Sequence, residues 1–373
     1  MKKSVYILAD SVVTPLGTST AENMEKLFSG ISAIKNYKHP QIGSFYASKF
    51  DDAAVFPLKK NTDRYTKIEQ LFIHSIEQVL SAVSVDTKRS DVLFVFASTK
   101  GNVEYLSTPG FDSDRLRIGV MATVVGEYFN NPNQPIIVSN ACISGLQAIQ
   151  YACQALQDDT YKHVIVTGAD CFSEFILSGF HSFQALSPFP CTPFDENRSG
   201  LSLGEGCGTL VLSSVKPNDE SIEILAVVSS NDANHLSGPS RTGEGLSLAI
   251  LGVIREAGIA ASDIDVISAH GTATMYNDEM ESLAFQTADL TSTPVYSIKG
   301  NIGHTLGAAG IIETIYLANS IKQNKLIPSV GYTKSGTSVA LNVTTQSADK
   351  ELHIGLKTAS GFGGGNTALI LKK

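Results

Sequence analysis

The sequence predicts an α/β fold made of two strand-and-helix halves, and three observations carry that expectation. Short apolar runs alternate along the chain with stretches of helical periodicity. The 373 residues, 43% of them hydrophobic, suffice for two domain-sized cores and argue against disorder. Each half opens and closes on a strand-like run, and Lys216-Pro217-Asn218-Asp219 between them reads as a linker. The expected division is residues 1–217 and 218–373.

In the first half, Val92–Phe96, Ile136–Val138, Val164–Val166 and Thr209–Leu212 read as buried strands. Ile68, Leu71, Phe72, Ile76, Val79 and Leu80 recur at helical spacing within 68–85. The second half opens at Ile222–Val228 and continues with a helix from about Gly245 to Ala257. Strands follow at Val266-Ile267 and Val295–Ser297, and the half closes on His353–Leu356 and Ala368–Leu371. No residue-by-residue repeat relates the halves.

The charge balance, 28 Lys plus Arg against 36 Asp plus Glu, argues against a nucleic-acid binder. No apolar stretch approaches the roughly 20 residues that cross a bilayer. The apolar run at the N-terminus reads as a first strand rather than a signal segment. Five cysteines without C-x-x-C spacing suit a reducing cytoplasm rather than a disulfide framework or a zinc site.

One of those cysteines sits where chemistry is expected. Cys142 follows the strand at 135–139 and precedes a helix whose inner face is Leu146, Ile149, Cys153 and Leu156. A thiol at a helix N-terminus meets free N–H groups and the positive end of the macrodipole, which favour the thiolate. Cys153 and Cys207 read as packing residues.

Two further strand ends carry histidines. His270 lies in Ser268-Ala269-His270-Gly271-Thr272-Ala273-Thr274, before a helix expected to start and be capped near Asn277 or Asp278. His304 lies in Lys299-Gly300-Asn301-Ile302-Gly303-His304, before a helix rich in Gly307, Ala308, Ala309 and Gly310. Such small residues weaken a helix, so something large is expected to pack against it. Gly361-Phe362-Gly363-Gly364 leaves the backbone around one aromatic free to approach a ligand. Asp195, Arg198 and Glu205 are expected to pair and brace the loops above the sheet.

In this order, these segments resemble the β-ketoacyl-acyl-carrier-protein synthases, elongating condensing enzymes of the thiolase superfamily. The resemblance spans the chain, from Val12-Val13-Thr14-Pro15-Leu16-Gly17 to Phe362-Gly363-Gly364. It implies a five-layer α-β-α-β-α thiolase-like fold, a sheet in each half, and a dimer, either of one chain or with a paralogous subunit. It implies a decarboxylative Claisen condensation. An acyl group on Cys142 is attacked by the carbanion of malonyl-acyl carrier protein, giving a 3-oxoacyl-acyl carrier protein for fatty-acid, polyene or polyketide synthesis.

The resemblance also assigns roles. Cys142, His270 and His304 form the catalytic set, and the amides of Cys142 and Phe362 form the oxyanion hole. Lys299 and Glu281 form a supporting ion pair. Thr272 and Thr274 bind the pantetheine arm, and Phe362 gates the site. No metal and no cofactor is implied beyond the phosphopantetheine of the carrier. Lys59, Lys60, Arg64 and Lys67 fall where the family docks its acidic carrier; a solvated helix start is the competing reading. The region from about Gly101 to Ala122 is shorter than usual, and Ile143 follows the nucleophile, so acyl length and pathway stay open. The alternative class is a non-catalytic, chain-length-setting subunit of a ketosynthase heterodimer. Such subunits normally lack the cysteine, so Cys142, His270 and His304 together weigh against it. A thiolase-type activity on coenzyme A ranks lower, since thiolases use a second cysteine.

Overall fold

Ten strands form one continuous sheet in a computed structural model that describes residues 3–51, 56, 64–218, 221–232, 238 and 240–373. The first half supplies β1 (Val5–Val13), β2 (Val92–Ala97), β3 (Ile136–Val138), β4 (His163–Asp170) and β5 (Gly206–Ser213). The second supplies β6 (Glu223–Asn231), β7 (Val266–Ser268), β8 (Val295–Tyr296), β9 (Ile354–Ser360) and β10 (Gly365–Lys372). The order is β8-β7-β9-β10-β6-β1-β5-β4-β2-β3. Read outward from the centre, β1-β5-β4-β2-β3 and β6-β10-β9-β7-β8 are the same arrangement, with the two outermost pairings parallel and the two inner ones antiparallel in each half. The expected separate sheets are thus joined, through the antiparallel pairs Val5↔Ile224 and Tyr6↔Glu223.

The layers follow from which faces are apolar. Helix α1 (Thr20–Phe28) packs on β1, and α2 (Lys67–Ala82) and α3 (Ile118–Tyr128) cover the outer face of the first half. The predicted stripe Ile68, Leu71, Phe72, Ile76 and Val79 of α2 is buried, and Thr66 closes its N-terminus with Glu69 in a capping box. Helices α6 (Glu244–Ala257) and α7 (Met275–Thr287) cover the outer face of the second half. Between the halves lie α4 (Ser144–Gln157) and α9 (Ala309–Gln323), each touching strands of both. The main core, with Leu146, Ile149, Val166, Ile311, Ile315 and Leu369, fills that middle layer. The result is the five-layer, thiolase-like arrangement. Helix α5 (Glu174–Ser182) lies outside the layers, and the four-residue α8 (Lys299–Ile302) follows β8.

The two central helices explain the small residues before α9. A Cβ on Gly310 would lie 2.6 Å from the Leu146 nitrogen, and one on Gly145 would lie 2.8 Å from the Ile311 nitrogen. Each helix therefore starts against the other's backbone. What packs against α9 is not a bulky group, as expected, but the first turn of α4. Helix α7 also starts earlier than expected: Thr274, not Asn277 or Asp278, is its cap, accepting from the Asn277 N–H.

Candidate active site

The close start of α4 and α9 brings Cys142 and His304 together. Between β3 and α4 the chain turns through Ala141, whose φ of 45° is a left-handed conformation disfavoured for a residue with a side chain. Ser144 braces the turn, accepting from the Asn140 N–H at 2.8 Å and donating to the Ala141 carbonyl at 2.6 Å. The sulfur of Cys142 lies 3.0 Å from Nε2 of His304. Gly361 passes so near that a Cβ there would be 3.0 Å from the Cys142 nitrogen. This places the backbone N–H of Phe362 against the sulfur. Cys142 does not show the thiolate bias expected of a helix start. Burial pushes its thiol up to about 12, outweighing the nearby Lys299, while Asp170 and Glu313 add to the rise.

His270 comes from the end of β7, its ring edge-on to that of His304 with centroids 5.1 Å apart. The sulfur and the histidine ring nitrogens offer donor atoms within 4.8 Å of one another. Both imidazoles are buried. Burial first, then the Lys299 and Lys357 charges, hold them well below the usual histidine range, so both are neutral. The tautomers follow from the neighbours. Lys299, which can only donate, lies 3.4 Å from His270 Nδ1, so the ring proton sits on Nε2. Nδ1 of His304 has no partner among the described residues, and an unfilled acceptor is tolerated better than an orphaned N–H. His304 therefore also carries its proton on Nε2, facing the sulfur.

The ion pair expected between Lys299 and Glu281 is not formed. The Lys299 ammonium binds Glu313 at 2.7 Å and also reaches the His270 carbonyl. Glu281 instead accepts from the N–H groups of His270 at 2.8 Å and Gly271 at 2.6 Å, and from Thr358 and Asn277 side chains. The reason is placement. Glu281 on α7 lies beneath the His270 loop, where backbone donors claim it, whereas Glu313 on α9 faces the lysine. Burial raises the Glu281 carboxyl above its ordinary range.

Above these residues opens a cavity of about 300 Å³ that reaches from Cys142, His270 and His304 past Thr272 and Thr274 to the surface. The two threonine hydroxyls are 2.9 Å apart on its wall. At the rim, Phe362 is 39% exposed and packs on Phe180 and Phe183, with ring centroids 5.9 and 5.4 Å away. Met275 and Tyr276 stand exposed on the other side.

A strained cysteine elbow, two neutral imidazoles and a cavity above them lie on a chain whose two halves both match a family model. Residues 2–218 match the model for the N-terminal domain of β-ketoacyl synthase, and 222–333 that for its C-terminal domain. The chain belongs to the β-ketoacyl synthase family. A 3-oxoacyl-[acyl-carrier-protein] synthase 2 of Staphylococcus aureus is 32% identical over 248 residues, 62% of this chain and 60% of that protein. A chain from the structure of a ketosynthase in complex with its chain length factor, from Xenorhabdus doucetiae, is 26% identical and superimposes with a TM-score of 0.90, covering 99% of this chain and 98% of that one. A β-ketoacyl synthase of Burkholderia phymatum is 25% identical with a TM-score of 0.89, both chains being covered completely.

Within this β-ketoacyl synthase, other expectations fare unevenly. Lys59 and Lys60 lie outside the described residues. Arg64 is exposed, but Lys67 turns inward to Glu205 at 2.9 Å, its side chain 22% exposed, so it is no free docking charge. Glu205 also accepts from the Phe172 N–H. Asp195, Arg198 and Glu205 form no ion pair with one another. Asp195 takes the N–H groups of Asn197, Thr333 and Lys334, while Arg198 donates to backbone carbonyls of Asp195, Gly336 and Met275. Sequence reasoning missed Glu313, Lys357 and Asp170. Asp170 is fully buried and accepts from Ser98, Thr99 and the Gly307 N–H, tying the loop after His304 to the first half. Burial raises its carboxyl to about 6 despite those donors. The signal was available in Glu313 and Lys357, charges that directly follow Ile311-Ile312 and Ile354-Gly355-Leu356.

Proposed function

We propose that this ketosynthase performs the decarboxylative condensation in two stages at Cys142. In the first, the acyl group of an acyl-carrier thioester passes to the sulfur, whose proton leaves with the carrier thiol. The tetrahedral oxyanion is met by the N–H groups of Cys142 and Phe362. In the second, the malonyl group enters the cavity on the pantetheine arm of its carrier protein, with Thr272 and Thr274 along that arm. The Nε2–H groups of His270 and His304 donate to its thioester carbonyl as CO2 departs and negative charge collects there. The carbanion then attacks the acyl carbon, the C–S bond to Cys142 breaks, and a 3-oxoacyl-carrier product leaves. Nothing in this sequence of steps calls for a resident metal or cofactor.

The observation that carries the reading is the single cavity floored by one sulfur and two donor imidazoles. Intact-mass measurement after incubation with acyl-carrier protein is expected to show one acyl adduct that is absent in Cys142→Ala. Adduct formation on another residue would overturn the assignment, as would product formation lost on adding EDTA.

We further propose that the chain works in a dimer built on β3 in a reducing cytoplasm. Strand β3 ends the sheet, pairs only with β2 among the described residues, and presents half-buried Ile136, Ile137 and Val138 beside the Cys142 elbow. An open edge of this kind invites a second strand. Native mass spectrometry of the chain alone and with a paralogue from its host would distinguish a homodimer from a ketosynthase–chain length factor pair.

A further inference from the structure

Strand β9 carries a lysine in a position where a strand buried on both faces would ordinarily hold valine or isoleucine. Lys357 is 0% exposed. Its ammonium sits 2.6 Å from Oε2 of Glu313, the carboxylate whose other oxygen holds Lys299. It also donates to the carbonyls of Ser268 at 3.2 Å and Ala269 at 3.3 Å, and to that of Thr358. All three donors of the ammonium therefore have acceptors. Burying a charge is costly unless it is paired and hydrogen-bonded in this way.

The acceptors are not scattered. Ser268 and Ala269 are the two residues that lead into His270. The next residue of β9, Thr358, has its hydroxyl against the His270 N–H at 3.3 Å and Glu281 at 3.1 Å. Glu313 comes from α9, whose start is fixed against the Cys142 helix. One side chain thus joins the strand end that delivers His270, the helix that follows His304, and the Lys299–Glu313 pair.

We propose that Lys357 is a positioning residue for the condensation: with Lys299 it grips the two oxygens of Glu313 and fixes the His270 segment so that both imidazoles aim at one carbonyl. It touches no substrate and acts through Glu313 and the Ser268-Ala269 carbonyls. The charged and titratable groups around His270 are Lys299 from α8, Lys357 from β9, Glu281 from α7, Glu313 from α9, and His304 and Cys142 across the cavity. Removing one of the two cations also lessens the repulsion that keeps the imidazoles neutral.

The test uses the full chain with Lys357→Met, and Lys357→Gln as a second variant that retains a donor without the charge. One readout needs no turnover. In histidine-labelled protein followed by ¹⁵N NMR, the His270 and His304 midpoints should move upward towards the free-imidazole value in both variants. The other readout rests on the condensation reading: acylation of Cys142 should stay near the wild-type rate while malonyl decarboxylation falls by about 10-fold or more. Unchanged midpoints would overturn the proposal. So would equal losses in both half-reactions, or failure of both variants to fold, since each would make Lys357 a support of the whole fold rather than of His270. Wild-type protein that never condensed would refute the functional reading and leave the NMR comparison to decide the role of Lys357.

Discussion

Replacing Gly310 by alanine tests the idea that the α4–α9 contact sets the catalytic geometry. The new Cβ would lie 2.6 Å from the Leu146 nitrogen and 3.0 Å from the Gly145 carbonyl carbon, where ordinary contact begins near 3.4 Å. Both obstacles are backbone, so neither can swing aside, and the helices must part by about 0.8 Å at their starts. The Cys142–His304 contact of 3.0 Å spans this junction and should lengthen by a similar amount. A displacement of about 1 Å in a reacting group can cost about 10²-fold in rate. Overpacking should cost about 1–3 kcal/mol, partly offset by the roughly 1 kcal/mol by which alanine favours a helix over glycine. Gly119→Ala in α3 is the control, because nothing lies within 4 Å of its added methyl and only the favourable part should appear. Condensation kinetics and urea unfolding of both variants provide the measurements. A Gly310→Ala protein with the wild-type rate and stability would refute the reasoning.

Other consequences can be measured alongside. Because burial holds His270 and His304 well below the ordinary histidine range, the neutral, donating forms persist below pH 6.5. The rate of malonyl decarboxylation should show no acid limb near that pH, and a limb centred there would contradict two buried neutral imidazoles. The unfolded chain, by contrast, takes up protons at these residues as pH falls through about 6.5. Their contribution to stability is full above that pH and declines below it, which urea midpoints of wild type and His304→Asn across pH 5–8 would reveal. In a double-mutant cycle followed by unfolding, Lys299 should couple strongly to Glu313 and far less to Glu281. Removing one partner of the buried pair should cost about 3–5 kcal/mol. At the surface, Arg64→Glu is expected to raise KM for the carrier protein at low salt with little change in kcat. Lys67→Ala should chiefly destabilise the chain by stranding the buried Glu205 carboxylate, as thermal unfolding would show.

What the sequence made legible and what it concealed differ in kind. Cys142, His270 and His304 stood out because each follows a strand and precedes a Gly-rich or helical turn, a local pattern with a local cause. The stripe of α2 and the strand runs were legible for the same reason: burial writes a period into neighbouring residues. The cap of α7 was misplaced because Thr274, Asn277 and Asp278 are all capable side chains, and only the backbone path chooses Thr274. The state of Cys142 was misjudged because a helix start can be read from sequence, whereas the depth of the cavity around the sulfur cannot.

The lysine pairing shows the deeper difficulty. Lys299 and Lys357 face Glu281 and Glu313 in one buried set, and counting charges finds the set neutral without saying which cation meets which carboxylate. Glu281 resembles a natural partner because it lies in the motif that contains His270. Yet that proximity turns it towards the N–H groups of His270 and Gly271, and its capacity is spent there. Glu313 sits in Ile311-Ile312-Glu313-Thr314-Ile315, a run that otherwise reads as core, and Lys357 directly follows the strand expected to end at Leu356. A charge that survives inside an apolar run must have a partner, so each of these residues predicted the existence of the other. Chain order does not contain the crossing of α9 beneath β9 that joins them. The close approach at Gly145 and Gly310 fixes the start of α9, so this backbone contact and the buried ion cluster depend on the same helix.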